Sequence, residues 1–220
     1  MNTHIIPIAC AKGGVTKTTT AMLLAASLHK RGLPVIVLDT DNTGGATKWE
    51  EAIYEQNETS RRQAQTTGQT PHLISLGFDV IPANQATMNR HRLQEKYPDT
   101  WIIIDTPPSD TGTIQKAIDV GDVTIIPTQT SAADLRLAGE TYAATRRGII
   151  LLTRVKAHTR LAKQAIKELD DAHIARFETL IPERESIRAA YGTTSTDPQY
   201  AAVVQELIDY INQLEQAQEA

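Results

Sequence analysis

Cysteine is all but missing: among 220 residues Cys10 is the only one. A lone thiol excludes an internal disulfide framework and any multi-thiolate metal or iron–sulfur site within one chain, and it is the usage expected in a reducing cytoplasm. Aromatic residues are scarce at 5%, which leaves little for stacking on exposed bases. Long hydrophobic runs are absent as well. No stretch reaches the roughly 20 apolar residues of a membrane span, and the opening MNTHIIPIAC lacks the charged start and extended apolar run of a secretory signal. An excess of positive charge is also missing. The net charge of -4 gives no global attraction to nucleic acid, so DNA binding requires a local patch.

What is present is an α/β pattern in a chain long enough for one domain with a sizeable core, read as a single unit over 1–220. Apolar, β-branched runs at 4–10, 35–38, 101–104, 123–126 and 149–155 predict strands, with helical patterns between them. The strands are near-continuously apolar, which implies a sheet covered on both faces: a doubly wound, mostly parallel sheet with helices on both sides. Ligands then bind outside the strand C-termini. The first crossover helix is expected over 18–31, stopped by Gly32. Residues 47–69 read as a polar helix whose end, 60–70, is the most loop-like part of the chain. Val204, Leu207, Ile208, Ile211 and Leu214 mark one apolar stripe on an acidic last helix. Charge is segregated: Arg146, Arg147, Arg154, Lys156, Arg160, Lys163 and Lys167 occur with no acid among them, whereas the tail from Asp197 has no base.

Three segments carry chemistry. Lys12-Gly13-Gly14-Val15-Thr16-Lys17-Thr18-Thr19 lies between a predicted strand and a predicted helix, the context of a phosphate loop. Its glycines let backbone N–H groups approach an anion, the helix N-terminus adds positive potential, Lys17 reaches β- and γ-phosphates, and Thr18 is suited to magnesium. Leu38-Asp39-Thr40-Asp41 delivers two carboxylates to the end of the second strand. Trp101-Ile102-Ile103-Ile104-Asp105-Thr106-Pro107-Pro108 drives a third into an apolar setting, where a metal-bound water would resolve the cost of burying its charge.

Lys12-Gly-Gly-x-x-Lys17-Thr18 resembles the deviant Walker A motif of the ParA and MinD ATPases, and the likeness continues through Asp39-x-Asp41, the Asp105-Thr-Pro-Pro strand, Pro127, Thr153-Arg154 and 181–188. The Thr153-Arg154 form is similar to the small ParF-like plasmid partition branch. The resemblance implies an ATP- and Mg2+-dependent sandwich dimer, with Lys12 reaching the partner's phosphates and Asp41 positioning the attacking water. Thr18 and Asp105 would support the magnesium shell, Asp39 that shell or the loop, and Pro127, Thr153 and Arg154 would lie near the base. It further implies slow, partner-stimulated hydrolysis, nonspecific DNA binding through the 146–167 cations with Arg184 and Arg188, and a ParB-like or ribbon-helix-helix centromere-binding partner. A cytoplasmic, nucleoid-associated protein is expected, with no membrane binding and no helix-turn-helix ahead of the first strand. A MinD-like membrane-positioning ATPase and a weakly hydrolysing nucleotide-dependent scaffold are the alternatives. Thr16 departs from the usual glycine before the phosphate lysine, and Asn42-Thr43 replaces Pro-Gln. If Thr16 needs positive φ, strain of about 1 to 3 kcal/mol is expected there.

Overall fold

Six strands form one all-parallel sheet in the order β3-β2-β4-β1-β5-β6 in a computed structural model that describes residues 2–219. They are β1 (His4–Ile8), β2 (Val35–Asp39), β3 (Asp79–Pro82), β4 (Trp101–Asp105), β5 (Thr124–Thr128) and β6 (Gly148–Leu152). Helices α1 (Lys17–Lys30), α2 (Gly45–Thr67), α3 (Arg90–Lys96), α4 (Thr111–Val120), α5 (Ala132–Ala143), α6 (Arg160–Asp171), α7 (Glu185–Arg188) and α8 (Pro198–Glu219) connect and flank them. The doubly wound parallel sheet expected from the continuous apolar strands is what the chain adopts.

Alternation along the strands divides the core. Ile6, Ile8, Val37, Ile103 and Ile125 point to the layer made by α1, α2 and α8, where Leu24, Trp49, Val204, Leu207 and Ile211 pack. Ile5, Ile36, Ile102 and Ile104 face Leu93 of α3 and Ala117 of α4 on the other side, and Ile126, Ile150 and Leu152 face Ala138 of α5 and Leu169 of α6. The stripe read on the last helix is therefore the face by which α8 joins this layer beside α1. At about 25 cal/mol per Å² of apolar surface removed from water, such two-sided burial is the dominant stabilising term.

Several boundaries differ from expectation for identifiable reasons. Residues 60–67 continue α2 instead of forming a loop: nothing before Gly68 breaks the helix, and Gly68 ends it at φ 69°. The short edge strand β3 is not evident in the sequence, having only four residues and ending in proline. β6 stops at Leu152 because Arg154 turns to φ 50°, after which Val155 pairs singly with Pro182. The last run of apolar residues is thus a strand followed by a turn.

Candidate active site

The chain reverses direction across the sheet at the β1–β4 boundary, so the crevice outside those two C-terminal ends is where the topology concentrates loops and helix N-termini. The phosphate loop leaves β1 there, Asp105 ends β4, and Asp39 ends the adjacent β2, level with Asp105 in the register.

The loop is shaped around an anion. Gly14 has φ 75°, a conformation glycine adopts without steric cost. Thr16 lies in the same left-handed region at φ 71°, ψ 26°, as the N-cap of α1. A threonine held so costs about 1–2 kcal/mol relative to a relaxed residue; its hydroxyl turns back onto the Val15 carbonyl. Lys17 is buried, and its ammonium donates to the carbonyls of Cys10 (3.0 Å) and Lys12 (2.9 Å), strapping the loop closed. Burial lowers the Lys17 pKa, opposed by the charges of Cys10, Asp105 and Asp41.

Lys12 points elsewhere. Its ammonium pairs with Asp134 in the first turn of α5, and the side chain stays 38% exposed while Asp134 is buried. Burial works to raise the Asp134 pKa but is outweighed by hydrogen bonds from Lys12 and Ser131, so the carboxylate sits below its usual range. The two lysines of the motif therefore occupy different places, one inside the cradle and one at its rim.

The carboxylates also separate by role. Asp105 is fully buried, and neither oxygen has a hydrogen-bond partner among the described residues. Burial pushes its pKa up to about 7; the charges of Asp39 and Asp41 add to the rise, while the nearby Thr18 hydroxyl and Lys17 oppose it. An orphaned buried carboxylate beside a threonine hydroxyl fits a hydrated divalent cation. Among the described residues no group of three or more His, Cys, Asp or Glu lies together to hold a metal ion; magnesium itself needs only one or two carboxylates plus phosphate oxygens and water. Asp39 differs: its Oδ2 accepts from the backbone and hydroxyl of Thr47 (2.7 and 2.8 Å) and its Oδ1 from the Asp41 backbone (3.1 Å). Of its two expected roles, this geometry fits loop support. Gly45 must be small here, since a Cβ would come within 2.7 Å of the Thr18 hydroxyl.

A cavity of about 190 Å³ adjoins the loop, lined by Thr16, Thr19, Trp49, Arg154, Tyr191 and Tyr200 with 181–184, 187 and 188. Pro127 is buried within β5 opposite Leu151 and does not line this cavity. Thr153 is fully buried, with its hydroxyl directed to the Thr128 and Val15 carbonyls (3.2 and 3.4 Å), so it ties β6 to the phosphate loop instead of facing the cavity. Sequence reasoning missed Tyr200, which is completely buried and meets the Thr20 hydroxyl at 3.2 Å, and Tyr191, whose ring lies tilted against Trp49 with centroids 5.4 Å apart. Both arrive from the C-terminal third of the chain, where no local motif announces them.

The nine cations expected to contact DNA are not one patch. Arg146 and Arg147 precede β6 and line a cavity with Asp122 and Thr124 at the N-terminal edge of the sheet. Arg154 and Lys156 lie beyond the C-terminal end of β6, a strand length away, and Arg184 and Arg188 line the cavity beside the phosphate loop. Arg160, Lys163 and Lys167, spaced i, i+3, i+7, share one exposed face of α6. Lys156 pairs with Glu183 and Lys167 with Asp171, while Arg160 and Lys163 carry no ion pair among the described residues.

Against known proteins, the CobQ/CobB/MinD/ParA nucleotide binding domain matches residues 6–196. The maintenance of carboxysome distribution protein A of Gloeobacter kilaueensis is 29% identical over 81% of this chain and 76% of its own. The chromosome-partitioning ATPase Soj of Thermus thermophilus is 29% identical over 89% of this chain and 88% of its own. A Borrelia burgdorferi B31 protein described as a plasmid partition protein, solved bound to AMPPNP, superposes with a TM-score of 0.67 at 21% identity, covering 96% of this chain and 98% of that one.

Proposed function

From its membership of the CobQ/CobB/MinD/ParA nucleotide-binding family, to which this chain belongs, we propose that it is a DNA partition ATPase that dimerises on ATP, binds DNA nonspecifically and lets go on hydrolysis. The observation that carries this reading is the division of labour between the two loop lysines. Lys17 already fills the cradle of its own chain, whereas Lys12 stands at the rim on a half-exposed side chain, in reach of a second molecule. Magnesium ATP supplies the γ-phosphoryl group and the cation that neutralises it. Backbone N–H groups of 13–18 and the Lys17 ammonium hold the phosphates, Thr18 and Asp105 hold the hydrated cation, and Asp41 orients the attacking water. We place the whole of 1–220 in this one ATPase unit, working in the cytoplasm on the nucleoid with a ParB-like or ribbon-helix-helix partner that accelerates hydrolysis. The test is Asp41→Ala, which removes the water-orienting carboxylate but no phosphate contact. Light scattering with ATP and Mg2+ is expected to find it a persistent dimer, with phosphate release at least about 100-fold below the parent. Parental hydrolysis by this variant overturns the assignment.

The DNA-facing surface is expected on α6. Arg160→Ala, Lys163→Ala and Lys167→Ala together should weaken binding to any duplex and flatten log K against log[salt] by about one unit for each phosphate that is no longer neutralised. Arg154 is left in place because it lines the cavity beside the phosphate loop. ATP affinity should not change. A fluorescence-anisotropy salt titration with the same slope as the parent would put the DNA elsewhere.

A further inference from the structure

The loop after β2 carries a side-chain contact from Thr43 onto Asp41. Both donors of Thr43, its backbone N–H and its hydroxyl, converge on one oxygen of Asp41, Oδ1, each at 2.8 Å. No hydrogen bond is made to Oδ2 among the described residues. The backbone on either side is fixed as well: the Asp41 N–H donates to Asp39 Oδ1 at 3.1 Å, the Asp41 carbonyl accepts from Gly44 N at 2.7 Å, and Thr40 donates twice to the Asp105 carbonyl, at 3.0 and 2.7 Å. The charge of Asp41 reaches both Lys17 and Asp105, opposing the burial-driven fall of the Lys17 pKa and adding to the rise at Asp105.

We infer that Thr43 is a positioning residue for the hydrolytic reaction: by clamping Asp41 Oδ1 it fixes the carboxylate rotamer and presents Oδ2 as the single open acceptor toward the water that attacks the phosphate. This rests on the function proposed above for Asp41. A carboxylate with two free oxygens on an exposed loop samples several rotamers, and only a fraction of them point an acceptor along the line of attack. Two charge-assisted bonds to one oxygen restrict that sampling without occupying the other, and in phosphoryl transfer such positioning is most of what side chains contribute. A turn-capping role alone would use the same bonds to hold the chain before α2 and would have no preference for which oxygen stays open.

Thr43→Val removes the hydroxyl, keeps the backbone donor and conserves the shape; Thr43→Ser keeps the hydroxyl. Thr43→Val is expected to lower kcat for ATP about tenfold, with ATP affinity and Tm unchanged, and Thr43→Ser to restore kcat to within about twofold. In nucleotide-free protein, hydrogen exchange across 41–44 should rise several-fold for Val and not for Ser, a readout independent of turnover. Parental kcat in Thr43→Val, failure of Thr43→Ser to restore it, or a loss of kcat matched by an equal loss of ATP affinity or Tm overturns the inference. Asp41→Ala separates the two levels. If that variant hydrolyses ATP normally, the reading of Asp41 fails and this inference with it; if it is inactive while Thr43→Val is normal, only Thr43 is wrong.

Discussion

Lys17→Ala is expected to abolish nucleotide binding, with calorimetry finding ATP and ADP affinity at least about 100-fold weaker than in the parent. Hydrogen bonds to ionised groups contribute about 1.5–3 kcal/mol each, and the Lys17 ammonium lies inside the cradle, buried to 7% exposure where solvent screens little. Its present bonds to the Cys10 and Lys12 carbonyls leave a third donor and show that the ammonium already sits within the loop. The lowered Lys17 pKa has the same origin, burial, and a bound polyphosphate reverses that penalty by restoring a counter-charge. The substitution also strands two loop carbonyls, so Tm should be followed in parallel: a loss of affinity in a variant that still unfolds cooperatively assigns the effect to the phosphates. Unchanged ATP affinity would remove Lys17 from the site.

How much of the site is legible in the sequence depends on how local each determinant is. The phosphate loop, the β4 aspartate and the sheet are readable because each is set by neighbours in sequence: a strand that must be apolar on both faces, a glycine where φ is positive, a lysine at the helix start. Thr16 is readable only as a condition, and the structure resolves it, since the residue does take the left-handed conformation. Features the sequence leaves open depend on contacts distant in sequence. Thr153 cannot be separated from a base-facing residue until β5 and the loop are placed beside it, where the Thr128 and Val15 carbonyls take its hydroxyl. The basic stretch resembles one patch when charge is followed along the chain, but a five-residue strand in the middle of it carries its two halves to opposite ends of β6. Tyr200 and Thr43 show the two limits. The first is brought to the phosphate loop by α8 from 180 residues away. The second is marked locally, because Asp-x-Thr is a side-chain turn pattern, yet a turn pattern alone does not say that the aspartate it holds faces a phosphate.

Lys12→Ala, made in the Asp41→Ala background so that turnover does not empty the site, is expected to leave the protein monomeric by light scattering with ATP and Mg2+, while the single Asp41→Ala variant dimerises. Among the described residues the Lys12 ammonium pairs with Asp134; its backbone carbonyl accepts from Lys17 in the loop, and alanine keeps that. Affinity of the monomer for ADP should therefore stay within about threefold of the parent. Dimerisation should not, for an electrostatic reason. Two triphosphate-bearing faces brought together repel unless each receives a cation from its partner, and in a symmetric dimer the deficit occurs twice. Leaving one member of a desolvated charge pair unmatched costs about 2 to 5 kcal/mol per site, enough over two sites to turn a micromolar dimer into a monomer at any practical concentration. The ion pair with Asp134 adds a constraint from the other side, since Lys12 must exchange that carboxylate for phosphate before the partner gains anything. A double variant that dimerises as well as Asp41→Ala alone makes Lys12 a loop cation paired only with Asp134, and the partition reading then loses the residue that distinguishes it from other phosphate-loop proteins.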